Sequence, residues 1–363
     1  MKKNIFIIAS GTGGHVIPAK IISYKLIAHN YKVTWIGTKA GIENKLINDP
    51  NINIHHINST GVRGKNLFQI IKGIINLVKS FYQSLVLIYK EQPKFVIGFG
   101  GYVSVPVSIA AFIMRVPVYA HEANSVAGTS NKINNLISKV TFQTFPNTFR
   151  KNKNIILSGN PIDQCFSDIT QPEIKYKKQR EILNILIFGG SQGSSFFNKS
   201  IPKCLNRFTN KFSIKHLSGY NNKDLVEKHY KDKNKTTSII EFSNKMHDLY
   251  EWSDIIISRA GSMTITEISK AGRVAILVPY LYATDNHQHV NARYLANNQA
   301  AIIIEENDYF ERELYETLEA LHHNQERLSK LSLNCKNLFP DNSSAIILNN
   351  ITELDEEFNN TTS

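Results

Sequence analysis

Three glycine-rich turns divide this sequence, and each of them directly follows a short run of apolar residues. The turns occupy residues 11–14, 98–101 and 189–193. Runs that are almost continuously apolar are typical of strands in a parallel sheet, because helices cover such a sheet on both faces. Since helical patterns alternate with these runs, we predict an α/β protein built on parallel sheets. The predicted strands cover residues 4–9, 32–36, 52–57, 95–97, 116–120, 183–188, 212–217, 238–242, 254–258, 275–278 and 300–304.

The chain of 363 residues is longer than one hydrophobic core usually supports, which indicates two domains. Its halves share one plan, in which a strand, a glycine-rich loop and a helix are repeated. A polar, charged stretch over residues 170–181 marks the region between them. We predict two Rossmann-like domains, residues 1–160 and 161–339, and a helical segment over residues 340–363. Two such domains facing each other would form a cleft at the carboxyl ends of both sheets, where ligands bind.

The net charge of +12 favours an anionic partner, which could be nucleic acid, lipid headgroups or a phosphorylated substrate. Three scattered cysteines without a C-x-x-C spacing predict neither a disulfide framework nor a zinc site, and they fit a reducing compartment. The basic start leads through a short apolar run into a glycine loop, which indicates a first strand instead of a signal peptide. No run reaches the roughly 18–20 apolar residues of a spanning helix, so we expect a soluble or peripheral protein.

The glycine turns lack both the Walker A sequence and a clean G-x-G-x-x-G spacing. A single such turn is a weak signal, because glycine is common where a strand turns tightly into a helix. Three turns at equivalent positions in a basic protein favour a ligand that carries a diphosphate. A helix that begins after such a turn directs backbone N–H groups and its positive dipole end at one spot, which suits a phosphate.

Glu267 belongs to the first turn of a helix predicted over residues 264–271, after a further strand and a turn at Gly261. A carboxylate in this position can accept hydrogen bonds from ribose hydroxyls. Alternatively, Thr264 and Glu267 have the spacing of a capping box, which satisfies backbone N–H groups and implies no ligand. Taken alone, the residues favour the cap.

His15, Glu122 and Asn124 follow predicted strands of the first half. A histidine there can take a proton from an attacking hydroxyl, although a lone histidine more often caps or packs. Glu122 is a second acid/base candidate, an orienting carboxylate or a helix cap. Asn124 can bind sugar hydroxyls or lie in a solvated loop.

Residues 70–82 form a mostly apolar stretch in which Lys72 and Lys79 are seven positions apart. Lysines two turns apart on an apolar helix can dock it on an anionic bilayer surface. A helix that packs on the sheet with one solvated stripe explains the pattern equally well.

No D-x-D motif occurs in either domain, and no H-E-x-x-H, so we predict neither a metal nor another cofactor. Backbone amides, helix N-termini and cations such as Arg259 would instead stabilise a departing diphosphate.

Motifs along nearly the whole chain resemble those of the MurG family of glycosyltransferases, which transfer N-acetylglucosamine from its UDP derivative to lipid I. In the first half these motifs are Gly11-Thr12-Gly13-Gly14-His15, Gly61-x-Arg63-Gly64-Lys65, Gly98-Phe99-Gly100-Gly101-Tyr102 and His121-Glu122-x-Asn124. In the second half they are Gly159-Asn160-Pro161, Gly189-Gly190-Ser191-Gln192-Gly193, Ser258-Arg259-Ala260-Gly261 and Asp285-x-x-Gln288-x-x-Asn291.

The resemblance implies a GT-B fold, with the acceptor held mainly by the N-terminal domain and the donor mainly by the C-terminal one. His15 is then the candidate base, with Glu122 as the second catalytic candidate, and Glu267 contacts the ribose, which reverses the preference for a cap. The implied donor-binding residues are Thr12, Gly13, Gly14, Asn124, Ser191, Ser262, Met263, Thr264, Glu267 and Gln288. The implied membrane-docking residues are Ile71, Lys72, Ile75 and Lys79. The last helix, after about residue 340, is expected to cross back to the N-terminal domain.

The chain departs from the family pattern at four positions, namely Ala123, Asp163, Ser243 and Ser262. Asp163 is the most consequential, because it stands where the family usually has an arginine. A donor-binding cation is therefore missing or supplied elsewhere.

Composition and spacing predict a two-domain protein for phosphorylated ligands. The resemblance further implies an inverting glycosyltransferase that forms lipid II for peptidoglycan synthesis, at the cytoplasmic face of the cell membrane. Its partners would be UDP-N-acetylglucosamine, lipid I and an anionic membrane surface. Alternatives are a diacylglycerol glycosyltransferase, a UDP-sugar epimerase, or a non-catalytic basic binder of membranes or nucleic acid. No RNA motif or aromatic-interleaved basic cluster supports nucleic-acid binding. An oxidoreductase is less favoured because the dinucleotide glycine spacing is missing.

Overall fold

The computed structural model describes residues 3–59, 67–190, 192–208, 211–230 and 237–362. For residues 67–72, 74 and 354–362 only the backbone is described. The motif at residues 61–65 and Ser191 therefore lie outside the described residues. The chain divides into two compact units, which are Met1–Ile162 with Pro340–Ser363 (unit 1) and Asp163–Phe339 (unit 2).

The strands of unit 1 are β1 (Lys3–Ala9), β2 (Tyr31–Gly37), β3 (Ile52–His56), β4 (Val96–Gly100), β5 (Val118–Glu122), β6 (Val140–Gln143) and β7 (Ile155–Leu157). Its first five helices are α1 (Gly13–Ala28), α2 (Glu43–Leu46), α3 (Leu67–Glu91), α4 (Ser104–Ile113) and α5 (Thr129–Ile137). The described strands form one parallel sheet in the order β3-β2-β1-β4-β5-β6-β7.

The strands of unit 2 are β8 (Leu183–Phe188), β9 (Phe212–Leu217), β10 (Thr237–Ile240), β11 (Ile255–Ser258), β12 (Val274–Leu277) and β13 (Ile302–Ile303). Its helices are α6 (Pro172–Lys175), α7 (Ser195–Leu205), α8 (Lys223–His229), α9 (Met246–Trp252), α10 (Ser262–Ala271), α11 (His287–Asn297), α12 (Phe310–His322) and α13 (Gln325–Lys336). Short 3₁₀ turns cover Gln164–Phe166 and Thr284–Asn286. The described strands form a second parallel sheet, in the order β10-β9-β8-β11-β12-β13.

The last helix, α14 (Ser343–Thr362), belongs to unit 1 and packs against α1. Its apolar residues Ile347, Leu348 and Ile351 are buried in the same hydrophobic cluster as Ile7 and Leu26. Burial of aliphatic side chains fixes this helix, because each one removed from water contributes on the order of 1.5–3 kcal/mol.

Both sheets have a switch point, where the strands on either side connect in opposite directions. In unit 1 it lies between β1 and β4, and in unit 2 between β8 and β11. Ligands of doubly wound folds bind at the carboxyl ends of the strands beside this point. The loops that follow β1, β4, β8 and β11 are therefore where each unit should hold its ligand.

The structure differs from the sequence prediction in a few elements. Strands β6 and β7 were not predicted, because runs of four and three residues are too short to show a period. A helical pattern follows the first glycine turn from Pro18 to about His29, whereas helix α1 begins at Gly13, with Pro18 inside it. Strand β4 continues through Gly98 and Gly100, which pair with Ile8 and Ala9 of β1.

Among the described residues, no helix is both long enough and apolar enough to cross a bilayer.

Candidate active site

His15 occupies the switch point of unit 1, in the first turn of α1. Its Nδ1 lies 3.3 Å from the carbonyl oxygen of Ser10. A carbonyl can only accept a hydrogen bond, so Nδ1 carries the ring proton when this bond forms. The neutral imidazole then has an unprotonated Nε2, which is the state that a general base requires.

The glycines after β4 make room for the His15 ring. A Cβ on Gly100, whose φ is +112°, would lie 2.8 Å from both Cδ2 and Nε2 of His15. A Cβ on Gly101 would lie 2.5 Å from the Ser10 hydroxyl. The glycine loops of β1 and β4 thus meet at His15, and a side chain at either position would displace it or its carbonyl partner.

Thr12, Gly13 and Gly14 form the start of α1 beside His15. Thr12 is the N-cap residue, and its carbonyl accepts from the N–H groups of His15 and Val16 at 3.1 Å each. Its side chain makes no capping hydrogen bond. The first N–H groups of a helix have no partner within the helix, which makes this end suitable for an anion.

His121, at the end of β5, is fully buried beneath this loop pair. Burial lowers its pKa to about 4, although a hydrogen bond to the Gly159 carbonyl oxygen opposes the shift. The ring packs against Phe99 with 5.3 Å between centroids. His121 is therefore neutral at physiological pH and supports the site as a packed, uncharged residue.

The carboxylate of Glu122 organises the loop that follows β5. Its Oε1 accepts from the Asn124 N–H at 2.8 Å, and its Oε2 accepts from the Gly128 N–H and the Asn131 amide, both at 3.0 Å. Gly128 is the N-cap residue of α5. With both oxygens engaged and 1% of the residue exposed, these contacts favour the cap and orienting interpretations over acid/base catalysis. Through this loop, Glu122 positions Asn124.

In unit 2, the loop after β8 is held tightly against the loop after β9. Gly193 has φ +75°, and a Cβ there would lie 2.3 Å from the Ser218 carbonyl oxygen. Ser194 is the N-cap residue of α7, and its hydroxyl accepts from the Phe197 N–H at 3.3 Å. The N-terminus of α7 therefore opens at the switch point of this sheet.

Helix α10 begins beside it, at Ser262, with Gly261 as the N-cap residue and no side-chain capping bond. The capping-box interpretation of Thr264 and Glu267 is therefore wrong, because Thr264 is the third helical residue and Glu267 lies a turn later. Ser262, Met263 and Thr264 make up the first turn of α10. The sequence missed this start because glycine offers no capping side chain.

Glu267 does not cap α10, and the buried Tyr250 contacts its carboxyl group. The hydroxyl of Tyr250 donates to Oε2 at 3.1 Å. Desolvation raises the pKa of Glu267 to about 7, and the tyrosine bond opposes part of the shift. The residue keeps partial solvent exposure. A carboxyl with these properties can accept hydrogen bonds from a ligand hydroxyl that displaces solvent.

Gln288, in the first turn of α11, has its amide oriented by two backbone donors. Its Oε1 accepts from the N–H of Ala260 at 3.2 Å and from the N–H of Tyr280 at 2.9 Å. This leaves Nε2 to donate elsewhere, and the residue is half-buried. Gln288 thus joins the loops after β11 and β12 and presents N–H donors beside them.

The guanidinium of Arg259 is held by several partners within unit 2. Its guanidinium donates to Glu306 at 2.6 Å, to the Ser194 hydroxyl at 3.0 Å and to two carbonyl oxygens after β12. The side chain is 9% exposed. Because its charge is paired with Glu306, these contacts favour a structural role and not direct stabilisation of a departing diphosphate.

Asp163 begins unit 2, and its carboxylate folds back on its own turn. It accepts from the Cys165 N–H at 3.1 Å and caps the 3₁₀ turn Gln164–Phe166. This turn packs against α10. The aspartate found where the family usually has an arginine is thus a local cap.

The predicted membrane-docking stretch, residues 70–82, lies within α3. The helix residues Ile75, Val78, Tyr82, Val86 and Tyr89 are 50–75% exposed and follow each other at spacings of three and four. Lys79 is also exposed. The side chains of Ile71 and Lys72 lie outside the described residues. The opposite face buries Ser80 and Ser84, so the apolar stripe faces outward. The other side of α3 packs on unit 1, with Ile88 buried and Phe81 and Leu85 packed against the same hydrophobic cluster.

Comparison with known proteins adds sequence and structural relatives. Residues 5–143 match the glycosyltransferase family 28 N-terminal domain, and residues 184–344 match the family 28 C-terminal domain. The "UDP-N-acetylglucosamine--N-acetylmuramyl-(pentapeptide) pyrophosphoryl-undecaprenol N-acetylglucosamine transferase" of Haemophilus ducreyi is 36% identical, over 92% of this chain and 94% of that protein. The protein of the same name from Buchnera aphidicola is 39% identical, over 90% and 91%. The crystal structure of Acinetobacter baumannii MurG matches with a TM-score of 0.86 and 30% identity, covering 97% of this chain and 99% of that one.

The chain belongs to the MurG family. It is a glycosyltransferase with the GT-B fold, and the sequence-based predictions of family, fold class and enzyme class are confirmed. A UDP-GlcNAc 2-epimerase from Neisseria meningitidis matches with a TM-score of 0.66 at 16% identity, a likeness of fold alone. The assignments of individual residues remain predictions that rest on the geometry above.

Proposed function

We propose that this MurG-family protein transfers N-acetylglucosamine from UDP-N-acetylglucosamine to the C4 hydroxyl of N-acetylmuramic acid in lipid I. The product is the β-1,4-linked disaccharide of lipid II, a precursor of peptidoglycan. Donor and acceptor are those in the names of relatives that match over nine-tenths of the chain. The observation that carries the mechanism is the Nδ1 contact of His15, which leaves Nε2 free to accept a proton.

The reaction is a single displacement with inversion at the anomeric carbon. Nε2 of His15 takes the proton of the C4 hydroxyl while its oxygen attacks the anomeric carbon of the donor. The bond between that carbon and the diphosphate oxygen breaks, and UDP leaves with the electron pair. The helix N-termini at the switch points supply N–H donors for anionic oxygens.

The proposed donor site lies in unit 2, around the first turn of α10. Glu267 would accept from the ribose hydroxyls, Gln288 would donate through Nε2, and Ser262, Met263 and Thr264 would direct N–H groups at the nucleotide. Thr12, Gly13, Gly14 and Asn124 of unit 1 and Ser191 are further proposed donor contacts. The carboxylate of Glu122 is assigned to positioning Asn124.

We also propose that unit 1 docks on the cytoplasmic face of an anionic cell membrane through α3. The apolar stripe from Ile75 to Tyr89 supports this, because a surface helix of a protein surrounded only by water normally exposes its polar face. Lys79 beside the stripe can reach anionic headgroups. Ile71 and Lys72 extend the proposed surface by sequence position.

The mechanism predicts that His15→Ala lowers kcat with lipid I by about 10²–10⁴-fold, the usual range for loss of a general base. The KM for UDP-N-acetylglucosamine should change little. His29→Ala is the matched control, since His29 is exposed at the end of the same helix. Full turnover by the His15 variant would remove that residue from the role of base.

The acceptor is tested by measuring UDP release with lipid I, with diacylglycerol and with no acceptor. Release that requires lipid I is the expected result. Release with diacylglycerol, or epimerisation of the sugar without an acceptor, would contradict the proposed acceptor.

A further inference from the structure

Tyr250, in α9, is a buried tyrosine to which the mechanism above gives no role. Its side chain is fully buried between two aromatic rings, with centroid distances of 5.2 Å to Phe166 and 6.0 Å to Phe188. Phe188 is the last residue of β8, immediately before the glycine loop. Full burial and these two ring contacts fix the Tyr250 ring and with it the direction of the hydroxyl group.

The hydroxyl of Tyr250 points at the side chain proposed to contact the donor ribose. It donates its single proton to Oε2 of Glu267 at 3.1 Å. In the part of the chain that the structure describes, no other residue forms a hydrogen bond with that carboxyl group. One carboxylate oxygen is therefore held from within the protein, and Oε1 remains for a ligand.

Arg273 links α9 and α10, the helices that carry Tyr250 and Glu267. Its Nε donates to the carbonyl oxygen of Tyr250 at 2.8 Å, and its Nη1 donates to the carbonyl oxygen of Ala271 at 2.8 Å, at the end of α10. The arginine side chain is wholly buried. The distance between Tyr250 and Glu267 is thus set by helices α9 and α10 and by the buried Arg273 that links them.

We propose that Tyr250 is a positioning residue for the donor nucleotide, whose hydroxyl holds Oε2 of Glu267 so that Oε1 faces the ribose hydroxyls. This inference rests on the proposed function, in which Glu267 contacts the ribose. A carboxylate without this contact can rotate about its terminal torsion, which is broad, and would lose its alignment with the sugar. Discrimination between ribose and deoxyribose in the donor nucleotide would therefore depend on Tyr250, a residue that touches no substrate.

The test compares the dissociation constants of UDP, 2′-deoxy-UDP and 3′-deoxy-UDP by calorimetry at pH 8. These three ligands share the same base and phosphates, so their affinity ratios report the ribose contacts alone. The wild-type protein should bind UDP at least about tenfold more tightly than one of the deoxy ligands, as expected for a hydrogen bond to a charged group. Glu267→Gln should reduce that ratio towards one.

Tyr250→Phe removes only the hydroxyl group and should lower the ratio about three- to tenfold. In turnover, the KM for UDP-N-acetylglucosamine should rise by a similar factor while kcat stays within about twofold, the pattern of lost uniform binding. Tyr230→Phe is the matched control, because its buried hydroxyl forms a 3.0 Å hydrogen bond with His216 elsewhere in unit 2. The control should leave the ratio unchanged.

The outcomes separate the two proposals. An unchanged ratio in Glu267→Gln would refute the ribose contact of the proposed function. If the affinity ratio falls to about one in Glu267→Gln but keeps its wild-type value in Tyr250→Phe, this inference alone is overturned. If Tyr250→Phe does not fold, 3-fluorotyrosine at position 250 keeps the ring and the hydroxyl while making it a stronger donor. The ratio should then change by about twofold or more, and an unchanged ratio would equally overturn the inference.

Discussion

At the scale of single residues, the surroundings of His15, Gln288 and Glu267 set the chemistry of these three side chains. The Ser10 carbonyl oxygen determines which nitrogen of His15 carries the proton. The two backbone N–H groups at Gln288 determine which end of its amide is free to donate. Tyr250 and burial act together on Glu267. The residue types were visible in the sequence, whereas their protonation and orientation depend on partners 5 to 28 positions away.

The raised pKa of Glu267 predicts a pH-dependent affinity for the donor. The ionised carboxylate accepts ribose hydroxyls best, and it predominates above its pKa of about 7. As the pH falls from 8 to 6, the ionised fraction and hence the affinity for UDP-N-acetylglucosamine should fall by up to about tenfold. Calorimetry with this ligand is suitable, because its diphosphate is esterified at both ends and therefore has no phosphate group that ionises near pH 6.

Two ionisable groups near Glu267, the Cys165 thiol and the Tyr250 hydroxyl, do not titrate in that pH window. Burial raises the pKa of the Cys165 thiol to about 12 and the pKa of Tyr250 well above its usual value. Both groups stay neutral from pH 6 to pH 8. Glu267→Gln should therefore abolish most of the pH dependence, and the same slope in that variant would assign the effect to another group.

At the scale of secondary-structure elements, the site of unit 1 is made by two loops from neighbouring strands. The glycine-rich sequences after β1 and β4 were visible in the sequence as separate motifs about 85 residues apart. Their contact follows from the sheet order, in which β4 pairs directly with β1. Predicting a parallel sheet did not predict that adjacency, because the strand order depends on how the crossover helices pack.

A pair of glycine substitutions separates backbone strain from displacement of His15. Gly11 and Gly100 both have positive φ, +98° and +112°, so alanine at either should cost roughly 1–2 kcal/mol of stability. A Cβ at Gly11 would come no closer than 4.0 Å to His15, whereas a Cβ at Gly100 would lie 2.8 Å from its ring. We expect similar losses in Tm for the two variants. The fall in kcat should be at least about tenfold greater for Gly100→Ala than for Gly11→Ala.

Thermal melts and steady-state turnover of both variants check this expectation. Equal values of kcat would mean that the His15 ring can move aside without affecting the reaction.

At the scale of the whole molecule, two units repeat one architecture with different specialisations. Each has a parallel sheet with a switch point flanked by loops that follow neighbouring strands. Near the switch point of unit 2 lie the buried Arg259, the partly exposed Glu267 and the start of α10. Unit 1 instead combines His15, whose Nδ1 lies 3.3 Å from a backbone carbonyl oxygen, with the outward-facing apolar stripe of α3. The repeated fold provides the positions, and the residues at the loops provide the distinct roles.

The membrane proposal predicts that Val78→Glu or Tyr82→Glu reduces binding to anionic vesicles by about tenfold or more. Each change removes apolar surface that would be buried in the interface and adds a charge that anionic headgroups repel. Co-sedimentation with vesicles containing anionic lipid measures the effect. Tyr309→Glu is the matched control, because Tyr309 is 60% exposed in unit 2. Wild-type binding by the α3 variants would exclude this helix as the docking surface.

The sequence by itself determined the class of fold and the family, because apolar strands, glycine turns and motif spacing are local properties of the chain. It also placed His15 just after the first strand, and Glu267 in a helix that follows a strand and a glycine turn. Only the tertiary structure showed that Glu267 does not cap α10, that Glu122 accepts from the N–H of the α5 N-cap residue Gly128, and that Arg259 pairs with Glu306. The physical reason is that a polar side chain acts through the partners that surround it, and packing chooses those partners from distant parts of the chain.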